Sequence, residues 1–287
     1  PTEPPEGEIT DREFFTRAAA QRKTFDIATY QRGLTRIRKQ FRGLIADAAQ
    51  IVVNREAKAV RAAVRKELRS KERFSEWLDK FYETHGEFVE QKLGPILRTY
   101  QQQVADYAGG AIGAGAVDLD DFVDSVIRSY VIAHVRSSSG QIKKIIEEID
   151  LDDLADAVDT RMEEWMVKRP GKIARDSVSR YSNAAAMQAW RVSGVTKKQW
   201  QTVGDNCPFC TGMNGRIVGI DRTYLPAGAT MYAGQGWVDI IAEDGTEIVK
   251  EKPSKGEQGG VQALKSYGDK MHPPIHQGCD CIIVPVI

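Results

Sequence analysis

Four cysteines in two tight pairs, all in the last third of the chain, constrain the fold of this sequence more than any other feature. The first pair stands in Cys207-Pro208-Phe209-Cys210-Thr211-Gly212. The second closes the run His272-Pro273-Pro274-Ile275-His276-Gln277-Gly278-Cys279-Asp280-Cys281. Two thiolates separated by two residues can grip one side of a metal ion. A second pair flanked by histidine, about 70 residues later, can supply the other side, and tetrahedral zinc takes this mixture of sulfur and imidazole nitrogen. Cys207, Cys210, His276, Cys279 and Cys281 compete for four places, with His272 a weaker sixth candidate. Spacing alone does not choose among them. Gly212 suits a turn whose backbone amides point back at the sulfurs. Enough protein ligands are present to close the shell, which implies a structural ion; a catalytic zinc keeps one position open.

Two other fates are available to four cysteines. Two disulfides would need an oxidising compartment, yet nothing resembles a secretory signal, and neighbouring half-pairs brace a 287-residue chain poorly. A redox Cys-x-x-Cys normally opens a helix, whereas Gly212, Asn214 and Gly215 predict a turn here. The thiols can also simply stay unpaired. Zinc is the reading these residues favour.

The 41% hydrophobic and 28% charged content is that of an ordinary globular protein, and the longest apolar runs fall far short of a membrane span. The zero net charge hides a segregation. Between Arg22 and Arg73 about fifteen Lys or Arg face about five Asp or Glu; between Asp118 and Glu164 about thirteen acids face about five bases. The basic half carries the clearest helical period: Ile37, Phe41, Leu44, Ile45, Ala48, Ile51 and Val52, continued by Val60, Val64 and Leu68. Arg36, Arg38, Lys39, Arg42, Arg55, Lys58, Arg61, Arg65, Lys66 and Arg69 occupy much of the remaining surface. Such a face either contacts nucleic-acid phosphates, with strong salt dependence, or is a solvated bundle surface.

Residues 1–9 read as a flexible leader, and Thr10-Asp11-Arg12-Glu13 as a capping box. Further helices are expected over 75–107, with Gly94-Pro95 a break or kink, over 120–135, over 141–167 after the Ser137-Ser138-Ser139-Gly140 break, and over 172–193, capped by Gly194. The glycine-rich 109–116 stretch lacks the residues of a phosphate loop and serves as a connection. Acids such as Asp120, Asp124, Glu147 and Asp152 show no spacing that marks a two-metal site, and His85 and His134 read as packing residues. After Gly194 the texture turns to strands at 196–203, 215–220 and 281–287, with a hairpin around Asp244-Gly245. The expected fold is α+β: a helical part over 10–170 and a small β-rich, zinc-stapled module over 171–287, where metal compensates for a limited core.

From Lys172 onward the sequence resembles the phage Mu F-like family of head morphogenesis (minor head) proteins. The resemblance rests on Ile173-Ala174-Arg175, Ser182-Asn183-Ala184-Ala185, Gly194-Val195, Lys198-Gln199-Trp200, Asp205-Asn206-Cys207-Pro208-Phe209-Cys210, Asn214-Gly215 and the closing Pro273-to-Cys281 run. It implies a low-copy structural protein of a tailed phage, not an enzyme, assembled in the host cytoplasm. Its place would be inside the capsid near the portal, with portal, scaffold or major capsid protein as partners. Contact with packaged double-stranded DNA and ejection with the genome are further implications. The family's Cys/His cluster falls on Cys207, Cys210, His276, Cys279 and Cys281. Two departures stand out: Asp176-Ser177 replaces a common Thr-Glu pair, and the segment between the cysteine pairs is long. Some relatives continue into a toxin or enzyme domain, and none is expected after Ile287. Pro1 suits either proteolytic trimming or a piece of a longer chain.

The residues leave two other functions open. His272, His276, Asp269 and Asp280, crowded near the cysteines, allow a zinc-dependent nuclease, although no nucleophile–base pair stands out. A zinc-ribbon-like nucleic-acid-binding protein acting in the host is the third possibility.

Overall fold

A computed structural model describes residues 25–67, 70–204, 207–234, 236–251 and 262–287. The expected leader, the capping box, Leu68, Arg69, Asp205 and Asn206 lie outside the described residues. Among the described residues four long helices come first: α1 (Ile27–Glu67), α2 (Lys71–Ala111), α3 (Asp120–Glu148) and α4 (Leu154–Val192). A small β-rich part follows, with β1 (Lys197–Gln201), the short helix α5 (Pro208–Met213), β2 (Ile217–Gly219), β3 (Thr230–Gly234), β4 (Trp237–Ile241), β5 (Glu247–Glu251), β6 (Gln262–Lys265) and β7 (Ile282–Val286). The fold is α+β.

At 41 residues, α1 is about 60 Å long and serves as the spine against which α4 and α2 pack. Leu34, Ile37, Phe41, Ile45, Ala48 and Val52 form its buried stripe. Leu44 and Ile51, expected in that stripe, are about half exposed because they sit one residue off the 3.6-residue register that the buried positions keep. Two helix starts, those of α1 and α2, carry a side-chain cap. Asp26 accepts from the Thr29 backbone N–H at 3.0 Å, and the Ser70 hydroxyl accepts from the Arg73 backbone N–H at 3.2 Å.

Helices run through three places where a break, or at Gly94-Pro95 a break or kink, is expected. Pro95 lies within α2, where the Thr99 hydroxyl donates to the Pro95 carbonyl at 3.0 Å. Helix α3 runs through Ser137-Ser138-Ser139-Gly140; Gln141 donates back to the Ser137 carbonyl, and buried Ser138 accepts from Arg169 at 2.8 Å. The junction expected at 170/171 falls inside α4. A proline four residues on orphans the Met166 carbonyl, and the Gln50 side-chain amide of α1 donates to that carbonyl at 3.2 Å. Gln50→Leu is therefore expected to destabilise the protein by about 1 kcal/mol, measured by chemical denaturation. An unchanged midpoint would remove Gln50 from this role.

Part of the charge segregation is used between helices. Arg61 reaches Asp159 at 3.0 Å and Glu163 at 3.4 Å, and Arg65 joins the same Asp159. Lys143 pairs with Asp79 at 2.6 Å, and Arg98 with Asp124. At the end nearer α4's start, one apolar cluster joins Val60, Val64, Phe74, Leu78, Ile146, Val158 and Trp165. The other cluster runs from Leu34, Phe41, Leu97 and Trp190 into Trp200, Met213, Met231, Ile240 and Ile283, so the β part shares its core with the helices. Among the described residues no helix is long and apolar enough to cross a membrane.

The strands form two antiparallel sheets, one ordered β2-β1-β7 and one ordered β5-β4-β3-β6. The expected hairpin joins β4 to β5, with Gly245 at φ +87 in its turn. Gly194, at φ +82, ends α4 as expected. Buried Lys198 of β1 donates its ammonium to the Ile220 carbonyl at 2.7 Å.

Candidate metal centre

The first cysteine pair does open a helix, correcting the turn expected there. Cys207 caps α5 and Cys210 lies in its first turn, so both thiols leave from the same end. Gly212 has a reason different from the one its sequence neighbourhood offered. A Cβ there would stand 2.5 Å from the Trp237 carbonyl oxygen and 2.9 Å from Val238 Cβ, so α5 can lie against β4 only with glycine. Gly212→Ala is expected to cost about 1–3 kcal/mol, as an overpacked contact does. The check is a lowered midpoint for unfolding of the β part; an unchanged midpoint would argue against the close approach.

The second half of the centre is the segment leading into β7. His276 Nε2 lies 2.9 Å from Cys207 Sγ and 3.4 Å from Cys210 Sγ, and Cys210 Sγ lies 3.5 Å from Cys279 Sγ. The donor atoms fall into two groups, Cys207–Cys210–His276 and Cys210–Cys279–Cys281, sharing Cys210. The five residues singled out from sequence thus meet in one place. His272 does not join them. Its Nδ1 donates to the Pro273 carbonyl at 2.6 Å, and its ring lines a separate cavity.

This donor set fits a metal ion. No disulfide links the four cysteines, and a separation of 3.5 Å is far beyond an S–S bond of about 2.05 Å. It is close to the roughly 3.7 Å between sulfurs that share one tetrahedral zinc. The imidazole is set for ligation: Nδ1–H donates to the Gln277 carbonyl at 2.9 Å, which leaves the Nε2 lone pair facing the sulfurs. Cys210, Cys279 and Cys281 are buried. Hydrogen bonds from Cys210 and Cys281 hold the Cys279 thiol down to about 3, while Cys210, donating to that thiolate, is driven up. One thiolate with two further thiols and an imidazole nitrogen within reach, in a mostly buried place, is a donor set suited to a cation.

Sequence reasoning missed the frame behind these ligands. Arg38 of α1 is only 6% exposed. It donates to the Ser182 hydroxyl at 2.9 Å, the Asp280 carbonyl at 2.7 Å and the Cys281 carbonyl at 3.3 Å. From α4, the Ser179 hydroxyl donates to the Cys279 carbonyl at 2.7 Å. The Asn183 side chain donates to the Cys281 carbonyl at 3.1 Å and accepts from the Ile283 N–H at 2.9 Å. Two helices thereby fix the ligand loop by its backbone. A signal existed: Arg38 falls in the apolar row Leu34–Ile37–Phe41, where a solvated arginine has no place.

Of the other residues proposed for nucleic acid, Arg36, Lys39, Arg42, Arg55, Lys58, Arg65 and Lys66 are exposed, and Arg61 is half-buried. Arg38 is turned inward, a correction caused by its three buried acceptors. Arg42 pairs with Asp280 at 3.4 Å, and Arg55 stacks over the Phe88 ring.

His85 and His134 pack inside the helical part, and burial pushes them down to about 4 and about 3 respectively. Beside His134 a cavity of about 660 Å³ lies between α3, α4 and the 269–274 loop, with His272, Lys270 and Arg180 on its wall. Comparison of the chain with protein-family models, curated proteins and solved structures returns no match.

Proposed function

We propose that this chain is a minor head (head morphogenesis) protein of a tailed phage, in which a structural zinc ion fastens the C-terminal β part to the helices. The observation that carries the reading is convergence. Ser182-Asn183, Cys207-to-Cys210 and His276-to-Cys281, which bear the resemblance to Mu F-like proteins, all meet at the metal centre. Zinc is the ion that thiolates and one imidazole favour. Cys207, Cys210, His276 and one of the Cys279–Cys281 pair complete a tetrahedral shell, leaving no position for substrate. The site is therefore structural, and in this reading the protein is a structural component rather than an enzyme. In this reading the ion holds the module that meets portal, scaffold or major capsid protein. The exposed basic residues of α1 face packaged double-stranded DNA.

Quantitative mass spectrometry of procapsids, full heads and emptied ghosts tests the assignment. The expected result is a few to a few tens of copies, on the order of a portal-associated component, in heads. Loss from ghosts would add ejection with the genome. Absence from every particle would refute the structural role.

A further inference from the structure

Three polar side chains from three helices meet within the helical part, and the cysteine centre makes no use of them. Glu56 of α1, His85 of α2 and His134 of α3 bring one donor atom each within 4.8 Å of one another. All three are buried. Both ring nitrogens of His85 and Nε2 of His134 have no hydrogen-bond partner. Buried polar atoms are rarely left so, and two imidazoles that each bring a nitrogen close to one carboxylate ask for a shared partner.

The surroundings fix the rings without satisfying them. His85 stacks on Phe81 with centroids 4.8 Å apart, and His134 lies 6.0 Å from Tyr130 and 6.2 Å from His85. His134 Nε2 is 3.8 Å from Glu56 Oε2. Glu56 is held in place by Tyr82, which donates to Oε1 at 2.6 Å, and by Arg169, which donates to Oε2 at 3.3 Å. His134 and Arg169 also line the 660 Å³ cavity, which gives a small ion a route inward.

We propose that Glu56, His85 and His134 form a second metal site, for a divalent first-row transition ion held by two imidazole nitrogens and one carboxylate oxygen. Nitrogen and oxygen donors in this ratio suit such ions, whereas the thiolate centre takes a softer coordination. Arg169 shares the Glu56 carboxylate and opposes a cation there. The second ion is consequently weaker and exchangeable, and leaves before the ion of the cysteine cluster. Removing that guanidinium charge tightens it.

Cobalt(II) titration of the purified full chain tests the site. Two equivalents are expected. The first brings thiolate-to-cobalt charge-transfer absorption; the second brings only weak ligand-field bands and is removed first by a mild chelator. His134→Asn should abolish the second phase and spare the first, and Arg169→Gln should strengthen the second by about tenfold. A single equivalent in the unaltered protein would overturn the proposal. So would a second phase unchanged in both His85→Asn and His134→Asn. Should the variants lose their helical circular dichroism, cobalt anomalous scattering from crystals of the unaltered protein decides. A peak between the three side chains supports the site, and an ordered water in that place overturns it.

Discussion

Cys210→Ser is expected to strip the metal from the cysteine cluster and unfold the β part, while α1 to α4 keep their helical circular dichroism. Cys210 belongs to both donor groups, so its loss breaks the contact between Cys207–His276 and Cys279–Cys281. Outer partners of a ligand command roughly 10- to 100-fold in metal affinity, and a shared ligand should exceed that. Binding energy at a structural zinc is folding energy, about 10–16 kcal/mol in small zinc peptides. Here the β part also buries Trp200, Met213, Met231 and Ile283 against the helices, so residual collapse without native pairing is the expected end state. Near-ultraviolet circular dichroism and zinc content by mass spectrometry measure the two effects. Full metal retention in Cys210→Ser would discard the ligand set. The same assay on Cys279→Ser and Cys281→Ser identifies the fourth ligand as the one whose loss releases zinc.

Arg38→Lys is the second large effect, because a conservative charge does not preserve a fork. The guanidinium serves Ser182, Asp280 and Cys281 at once from a buried position. A single ammonium on a shorter, rotating stem cannot span three acceptors in that plane. Hydrogen bonds to a charged group contribute about 1.5–3 kcal/mol each, so a loss of about 3 kcal/mol is expected after partial rearrangement. Thermal unfolding should shift down by several degrees, and zinc should leave at a lower chelator concentration. A variant equal to the parent in both respects would mean that Asn183 and Ser179 hold the ligand loop alone.

What was legible in the sequence follows from the range of the physics involved. Period-2 and period-3.6 patterns are local, so the helices, the hairpin at Asp244-Gly245 and β7 were readable. Cysteine and histidine spacing named all five residues that meet. Breaks were misjudged where a distant side chain repairs a local defect. Pro170 leaves Met166 unpaired, and only the approach of Gln50 in α1 shows why α4 continues. Arg38 belongs to the same class. As one of ten basic residues it read as surface, and its three acceptors lie more than 140 positions away in sequence. Glu56, His85 and His134 likewise become a group only when three helices are packed.

The proposed function depends on zinc held by thiolates and one imidazole at the end of α5. Zinc X-ray absorption on the full chain loaded with one equivalent tests this most directly. The expected result is a four-coordinate shell dominated by sulfur at about 2.3 Å, with a single nitrogen at about 2.0–2.1 Å. A shell of nitrogen and oxygen only, or a chain that retains no zinc after gel filtration, would contradict it.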